Sequence, residues 1–451
     1  MTEKEITSYV ANHPSGKVKI AYVDIDGILR GKYISKEKFL SAAEGGTTFC
    51  NVIFGWDAND VAYDNGAYTG WHSGYPDAPA RLDLSTFRKI PWENDVPFFL
   101  GELLDKGGKP SHVCPRQLIK KLAAQAEAMG FATVFAQEFE WFNFEETPDS
   151  AREKNYRDLK PITPGMFGYS ILRTTLRNPF FHDLYKDLRS FGVPVEGLHT
   201  ETGPGVLEAA IDHTDVVTAA DRATLFKSAV KEIAYRHGIM ATFMAKISEQ
   251  LPGCGGHVHQ SLWDKQRKKN LFHSKDDPDG MSELFRQYLA GQLVCLPEIL
   301  PLYAPTVNSY KRLVEGAWAP TTITWGFDNR TVALRVLGGA KSSRLETRVI
   351  GSDVNPYLAM AGALASGLYG ISKKLKLKHK ATKGNGYRDE SGGRLPSTLE
   401  EATERMSKSQ IAREILGSDF VEHFVQTRRW EWKQHLKAVT DWEMRRYFDI
   451  I

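Results

Sequence analysis

Apolar and polar residues alternate with period two in several short stretches, as expected of strands that bury one face. In ATVFAQEFEWFNF, Phe135, Gln137, Phe139 and Trp141 fall on one side, and Glu138 and Glu140 on the other. TVALRV sets Arg335 on the face opposite Val332 and Leu334, and SRLETR sets Arg344, Glu346 and Arg348 against Leu345 and Thr347. KVKIAYVDIDGILRGKYIS predicts two strands around an Asp-Gly turn. CPRQLIKKLAAQAEAMGF has a helical period, with proline near its start and glycine after its end. From about Cys50 to Trp92 the chain is rich in Gly, Asn, Asp and aromatics without a helical period, which predicts a long ordered loop. DKGGKP predicts a domain boundary near Lys106, dividing the chain into 1–106 and 107–451. Beyond it strands and helices alternate towards a charged helical C-terminus, with no internal repeat.

Composition narrows the function classes. A net charge of +3 from 58 basic and 55 acidic side chains is too mild to argue for nucleic acid or an anionic membrane. The one basic run, KKLKLKHKATK, reads as a solvated helix end or loop. Four cysteines, Cys50, Cys114, Cys254 and Cys295, form no CxxC pattern and no disulfide framework, which points to a reducing cytoplasm. The N-terminus lacks the apolar core of a signal peptide, and no segment reaches the roughly 18 to 20 apolar residues of a membrane span.

The candidate chemistry lies in four blocks. Between Asn308 and Tyr357 seven basic side chains, among them Arg312, Arg330, Arg335, Lys341, Arg344 and Arg348, surround Glu346, a grouping suited to gripping oxygen-rich anions. Glu138 and Glu140 share a strand face, where burial would force a proton onto one of them or require a divalent cation. EGLHTETGPGVLEAAI brings Glu196, Glu201 and Glu208 around a Gly-Pro-Gly turn, and GCGGHVHQSLW projects His257 and His259 to one side of a strand. Each block alone also fits a solvated surface. Together, hard oxygen donors with one imidazole suit Mg²⁺ or Mn²⁺ better than zinc.

In their order and spacing, these blocks, with NSYKRL, DNRTVALRV, RLETR and NPYLAMAGALASG, resemble the glutamine synthetase family. The resemblance covers most of the chain and is strongest from Phe135 to Gly370. It implies an α+β fold: a small β-grasp-like N-terminal domain, then a large catalytic domain with a curved antiparallel sheet forming a funnel. It further implies two divalent cations per active site, one held by Glu140, Glu201 and Glu208 and the other by Glu138, His257 and Glu346. ATP would meet Glu196, His259, Gln260, Ser261, Arg335, Lys341 and Arg344, and L-glutamate would meet Gly253, Arg312, Arg330 and Arg348. The implied reaction runs through γ-glutamyl phosphate, with Arg330, Asp57 and Glu201 as catalytic groups. Active sites would lie between neighbouring subunits of a homo-oligomer, a dodecamer of two stacked hexameric rings.

Departures from the family pattern bear on the nitrogen substrate. Where ammonia-using members carry a glutamate on the flap over the site, KRLVEGAWAP places Trp318, with Glu315 three positions earlier. An indole offers bulk and apolar surface but no carboxylate to hold ammonium. The resemblance is therefore to the branch that joins glutamate to alkyl or aryl amines, with a polyamine less suited because a second ammonium would want more acids. LPGCGGH has Pro252 and Cys254 where ammonia-using members usually show Asn and Ser or Ala. Asp57 matches the amine-contacting aspartate without the usual DGSS setting. An alkylamine with a pKa of about 10.4 needs a base, either Asp57 or Glu201, whereas an arylamine arrives neutral. An ammonia-using glutamine synthetase and a catalytically silent member of the family are the alternatives. Tyr387, near the family's covalent regulatory site, reads as an ordinary loop tyrosine.

Overall fold

The computed structural model describes the whole chain, Met1 to Ile451. Its first 103 residues build a five-stranded mixed sheet from β1 (Lys17–Val23), β2 (Leu29–Ser35), β3 (Thr47–Cys50), β4 (Asp77–Ile90) and β5 (Val96–Leu103), in the order β2-β1-β5-β4-β3. The expected hairpin forms, with β1 and β2 antiparallel from Lys17 opposite Ser35 to Val23 opposite Leu29. β1 also runs parallel to β5, the central pairing of a β-grasp-like sheet. The stretch expected to be one long loop differs. Asn51–Phe54 is a 3₁₀ turn, irregular chain follows to Pro76, and residues 77–90 are strand β4. A register shift between Asp83 and Arg88 interrupts the pairing of β4 with β5 and hides its period from the sequence.

The second sheet has eight strands: β6 (Ala132–Phe144), β7 (Val195–Thr200), β8 (Val206–Ile211), β9 (Met240–Thr242), β10 (Val258–Trp263), β11 (Trp325–Phe327), β12 (Leu334–Leu337) and β13 (Arg344–Thr347). Their order is β11-β12-β13-β10-β6-β8-β7, with β9 also on β6, and only the β11–β12 pair is parallel. One face of β6 is apolar and packs on the helix Val216–Arg236, with the rings of Phe139 and Phe226 stacked 5.7 Å apart. The opposite face presents the acids. The helix Pro356–Ser372 is buried along nearly its whole length and forms the centre of the helical layer.

Two polar devices join the N-terminal sheet to the larger unit. In one, the buried Arg116 guanidinium pairs with both oxygens of Asp221 (2.8 and 3.0 Å), with Asp83 (2.9 Å) and with Glu102, and Tyr357 donates to Asp221 at 2.5 Å. In the other, Asn355, which caps the helix Pro356–Ser372, donates to the carbonyls of Asp24 and Ile25 in the β1–β2 turn, both at 3.1 Å. The polar groups of these two devices thus have partners, which removes most of the cost of burying them.

His423 is an exception. On the helix Ser418–His435 it is 4% exposed beside the rings of Phe54 and Tyr68, and neither ring nitrogen has a hydrogen-bond partner. Burial, assisted by His112 and Arg428, pushes its pKa down to about 3. The folded state therefore holds the neutral imidazole. The stability this contributes is complete above the unfolded pKa of about 6.5 and is lost as pH falls towards 3. Between pH 7 and pH 5 the loss from His423 alone is roughly 2 kcal/mol. His423→Phe should lose less stability than the wild type over that range in denaturant unfolding. Equal losses in the two proteins would show that this imidazole takes no part in acid sensitivity.

Candidate active site

Strand register assembles the site. Across β10, β13 and β12, His259 stands opposite Glu346, and Glu346 opposite Arg335. Across β6, β8 and β7, Glu140 stands opposite Glu208, and Glu208 opposite His199. Directly opposed residues share a face, so these two rows set acids and bases side by side over the β6 carboxylates.

The first row closes on Glu138. His257 Nδ1 lies 2.8 Å from Glu138 Oε1 and 3.4 Å from Glu346 Oε1, while His259 Nε2 lies 3.4 Å from Glu138 Oε2. Burial pushes Glu138 up, but His259 and His257 outweigh it and hold this carboxylate well below the usual range. The two imidazoles shift in opposite directions. Burial, reinforced by Arg348, lowers His257 to about 4, whereas at His259 the attraction of Glu138 overcomes burial and raises it. Arg344 Nε donates to His259 Nδ1 at 3.2 Å. Donor atoms of Glu138, His259 and Glu346 lie within 4.8 Å of one another, and the neutral His257 borders the same space.

The second row gathers Glu140, Glu201 and Glu208, none of them within 4.0 Å of a lysine or arginine. Burial and the neighbouring Glu208 push Glu140 up to about 7, and its Oε2 accepts from the Gly255 N–H at 2.6 Å. His199 belongs to this group although no sequence motif assigned it. Its Nε2 is 3.5 Å from Glu208 and its Nδ1 is 3.9 Å from Glu201. Donor atoms of His199, Glu201 and Glu208 lie within 4.8 Å of one another. The H-x-E spacing on β7, which puts His199 and Glu201 on one face, was the available signal. Carboxylates opposed across strands without cations between them are suited to a hard divalent ion.

The nucleotide candidates border a cavity of about 310 Å³ lined by Glu138, Glu196, His259, Ser261, Lys341 and Arg344. Gln260 adjoins it, but its side chain turns to the core. It accepts from Tyr288 at 2.6 Å and donates to Thr347 at 2.8 Å, because its strand position is opposite in facing to His259 and Ser261. Arg335 bridges Glu346 (2.9 Å) and Asp328 (3.0 Å).

Of the glutamate candidates, Arg312 is buried and donates to the Val349 and Arg348 carbonyls at 2.9 and 3.1 Å, with no carboxylate partner. Arg348 pairs with Glu346, and its Nε donates to the Arg330 carbonyl at 3.0 Å. The Arg330 side chain is exposed. Gly253 packs so closely that a Cβ would meet the Ala245 carbonyl and Arg312 Cγ, each at 2.7 Å.

Asp57 lies apart from this cluster within the chain. Its Oδ1 accepts from the Asn59 and Val61 N–H groups at 2.8 and 3.0 Å, and its Oδ2 accepts from the Trp430 indole at 2.8 Å. Trp318 is 61% exposed on the flap, in the left-handed region with φ of 56°. Tyr169, another residue no motif flagged, lies over His199 with ring centroids 4.4 Å apart. Burial and the charges of Glu201 and Glu208 raise its hydroxyl pKa.

A family profile described as "Glutamine synthetase, catalytic domain" matches residues 112–447. The chain belongs to the glutamine synthetase family. Members of this family use ATP and divalent metals, and this chain is a glutamate–nitrogen ligase of that kind. It is 55% identical over 437 residues to type-1 glutamine synthetase 2 of Dictyostelium discoideum, across 96% of this chain and 84% of that protein. It is 38% identical over 451 residues to a glutamate–isopropylamine ligase of a Pseudomonas species, across 99% and 98% of the two chains. A solved GmaS/ADP complex matches with a TM-score of 0.85 at 27% identity, covering 100% of both chains. Within the family the chain is thus similar both to a relative named for glutamine and to one named for isopropylamine, which leaves the amine open. No helix is long and apolar enough to cross a membrane.

Proposed function

We propose that this chain joins the γ-carboxylate of L-glutamate to a monoalkyl or aryl amine, using ATP and passing through γ-glutamyl phosphate. The observation that carries this reading is Trp318, an indole on the flap where a carboxylate would hold ammonium. The 38% identity to an isopropylamine ligase supports it.

The residues fit two divalent cations, Mg²⁺ or Mn²⁺: Glu140, Glu201 and Glu208 would hold one, and Glu138, His257 and Glu346 the other. Bound there, the cations would neutralise and orient the ATP phosphates. Lys341 and Arg344, which line the cavity, would meet the phosphates, and Arg312, Arg330 and Arg348 would meet the glutamate carboxylate. The γ-carboxylate oxygen attacks the γ-phosphorus and ADP leaves. The amine nitrogen then attacks the acyl carbon, the C–O bond to phosphate breaks, and inorganic phosphate departs. An alkylammonium must first lose a proton. Either Asp57 or Glu201 would take it. Trp318 on the flap and Tyr169 over His199 would each offer an aromatic surface to the amine. The active oligomer in this reading is a dodecamer of two stacked hexamers.

A second reading, an ammonia-using glutamine synthetase, is favoured by the relative at 55% identity. Phosphate release with purified protein, Mg²⁺, ATP and glutamate separates the two across ammonium, methylamine, ethylamine, isopropylamine, ethanolamine, putrescine and aniline. Turnover with a monoamine and little with ammonium supports the proposal. Strong turnover with ammonium overturns it.

A further inference from the structure

His199 is half-buried on β7, and two contacts orient its ring. The ring of Tyr169 lies over it with centroids 4.4 Å apart, and Nδ1 lies 3.1 Å from the Thr200 carbonyl oxygen. A carbonyl oxygen only accepts, so Nδ1 carries a proton, and in the neutral imidazole the lone pair is then on Nε2. That nitrogen is turned towards the acids. β7 and β8 set His199 directly opposite Glu208, and Nε2 lies 3.5 Å from Glu208 Oε1.

A histidine that binds metal characteristically donates its other ring N–H to a backbone carbonyl or a carboxylate, which fixes both tautomer and orientation. His199 has that arrangement through Thr200. The spacing agrees as well. Two donors each about 2.1 Å from one cation stand roughly 3 to 4 Å apart, whereas a charged hydrogen bond from the ring to Glu208 would draw the pair to about 2.7–2.9 Å. One donor atom from each of His199, Glu201 and Glu208 lies within 4.8 Å of the other two. Glu201 Oε1 accepts from the Thr202 N–H at 2.8 Å, so this carboxylate is also held in place.

We propose that His199 is a metal ligand, supplying Nε2 to the cation that Glu201 and Glu208 hold, with Glu140 opposite Glu208 as the further carboxylate. The assignment rests on the two-cation reading above and adds to it a donor and a metal preference. Each site then has one imidazole, His257 in one and His199 in the other. Mg²⁺ takes oxygen donors and keeps its waters, while an imidazole nitrogen is better suited to the first-row transition ions. Two sites that each combine carboxylates with one ring nitrogen therefore favour Mn²⁺ over Mg²⁺.

The test is Mn²⁺ binding to the full-length protein without nucleotide or substrate, followed by electron paramagnetic resonance, with Mg²⁺ added in competition. The wild type should bind two equivalents. In His199→Ala one of them should weaken by about 10- to 100-fold, the scale on which loss of a group supporting a metal site is felt, and the other should keep its affinity. His199→Gln offers an amide oxygen where the ring nitrogen was. It should narrow the preference for Mn²⁺ over Mg²⁺ at that site, an effect that a merely structural role would not produce. In Glu346→Gln, which empties the other site, the remaining Mn²⁺ should show the spin-echo modulation of a coordinated nitrogen, and adding His199→Gln should abolish it. Two equivalents of unchanged affinity in His199→Ala, with an unaltered thermal melt, overturn the proposal. So does an unchanged metal preference in His199→Gln, or nitrogen modulation that survives it. If the wild type binds no manganese, the two-cation reading falls. If it binds two equivalents and the His199 variants match it, that reading stands and the assignment of His199 alone falls.

Discussion

Glu346→Ala is expected to abolish ATP- and glutamate-dependent phosphate release, with kcat/KM falling about 1000-fold or more, equivalent to about 4 kcal/mol of transition-state stabilisation. Glu346 is 0% exposed at the centre of the β10–β13–β12 row. Burial works against its charge, but Arg348, His259 and His257 outweigh burial and keep it ionised below the usual range. Its removal leaves Arg348 without a carboxylate partner and Arg335 with Asp328 alone, and it takes from this row one of the two acids that could hold a cation, leaving Glu138. Breaking such a buried pair also costs about 3–5 kcal/mol of stability, so activity must be read beside a thermal melt. Glu346→Gln preserves shape and separates the two effects. Titration with Mn²⁺ supplies a readout that a merely structural role would not move, since one equivalent of bound metal should disappear in either variant. A folded Glu346→Ala protein that retains more than a tenth of wild-type activity would remove Glu346 from the metal site.

The site was largely legible because its acids and bases lie on strands. Period two puts Glu138 and Glu140 on one face of β6, and His257 and His259 on one side of the β10 segment, whatever the tertiary context. The same rule shows why Gln260 parts from its neighbours. One position along from His259 it must face the other way, and the structure fills that face with Tyr288 and Thr347. What escaped the sequence depends on pairing between distant segments. His199 joins the acids because β7 lies beside β8, and Tyr169 joins because the loop before Ile171 folds over His199. Tyr169 carries no local signal, and His199 only its H-x-E spacing to Glu201. Strand β4 was concealed by its register shift, and the burial of Tyr387 follows from two threonines, Thr322 and Thr331, far from it in sequence. Asp57 has a part within its own chain that the sequence does not announce, its two oxygens accepting from a local turn and from Trp430.

Trp318→Glu is the substitution expected to redirect the chemistry without disabling it. The ratio of kcat/KM for ammonium to that for isopropylamine should rise at least about tenfold, or about 1.4 kcal/mol. The residue sits on the flap with 61% of its surface exposed, so the change neither opens a core cavity nor buries a charge. Glutamate, unbranched at Cβ, meets the same left-handed backbone that the indole tolerates. A carboxylate there attracts ammonium and can accept its proton, while the loss of the ring removes apolar contact with an alkyl group. Trp318→Leu isolates the second effect, since it removes the aromatic face without adding charge. It should weaken use of isopropylamine and leave ammonium unimproved. If Glu and Leu variants shift the ratio equally, the carboxylate has no role and bulk alone excludes ammonia. If neither shifts it, selection lies with the wall that Tyr169 forms over His199.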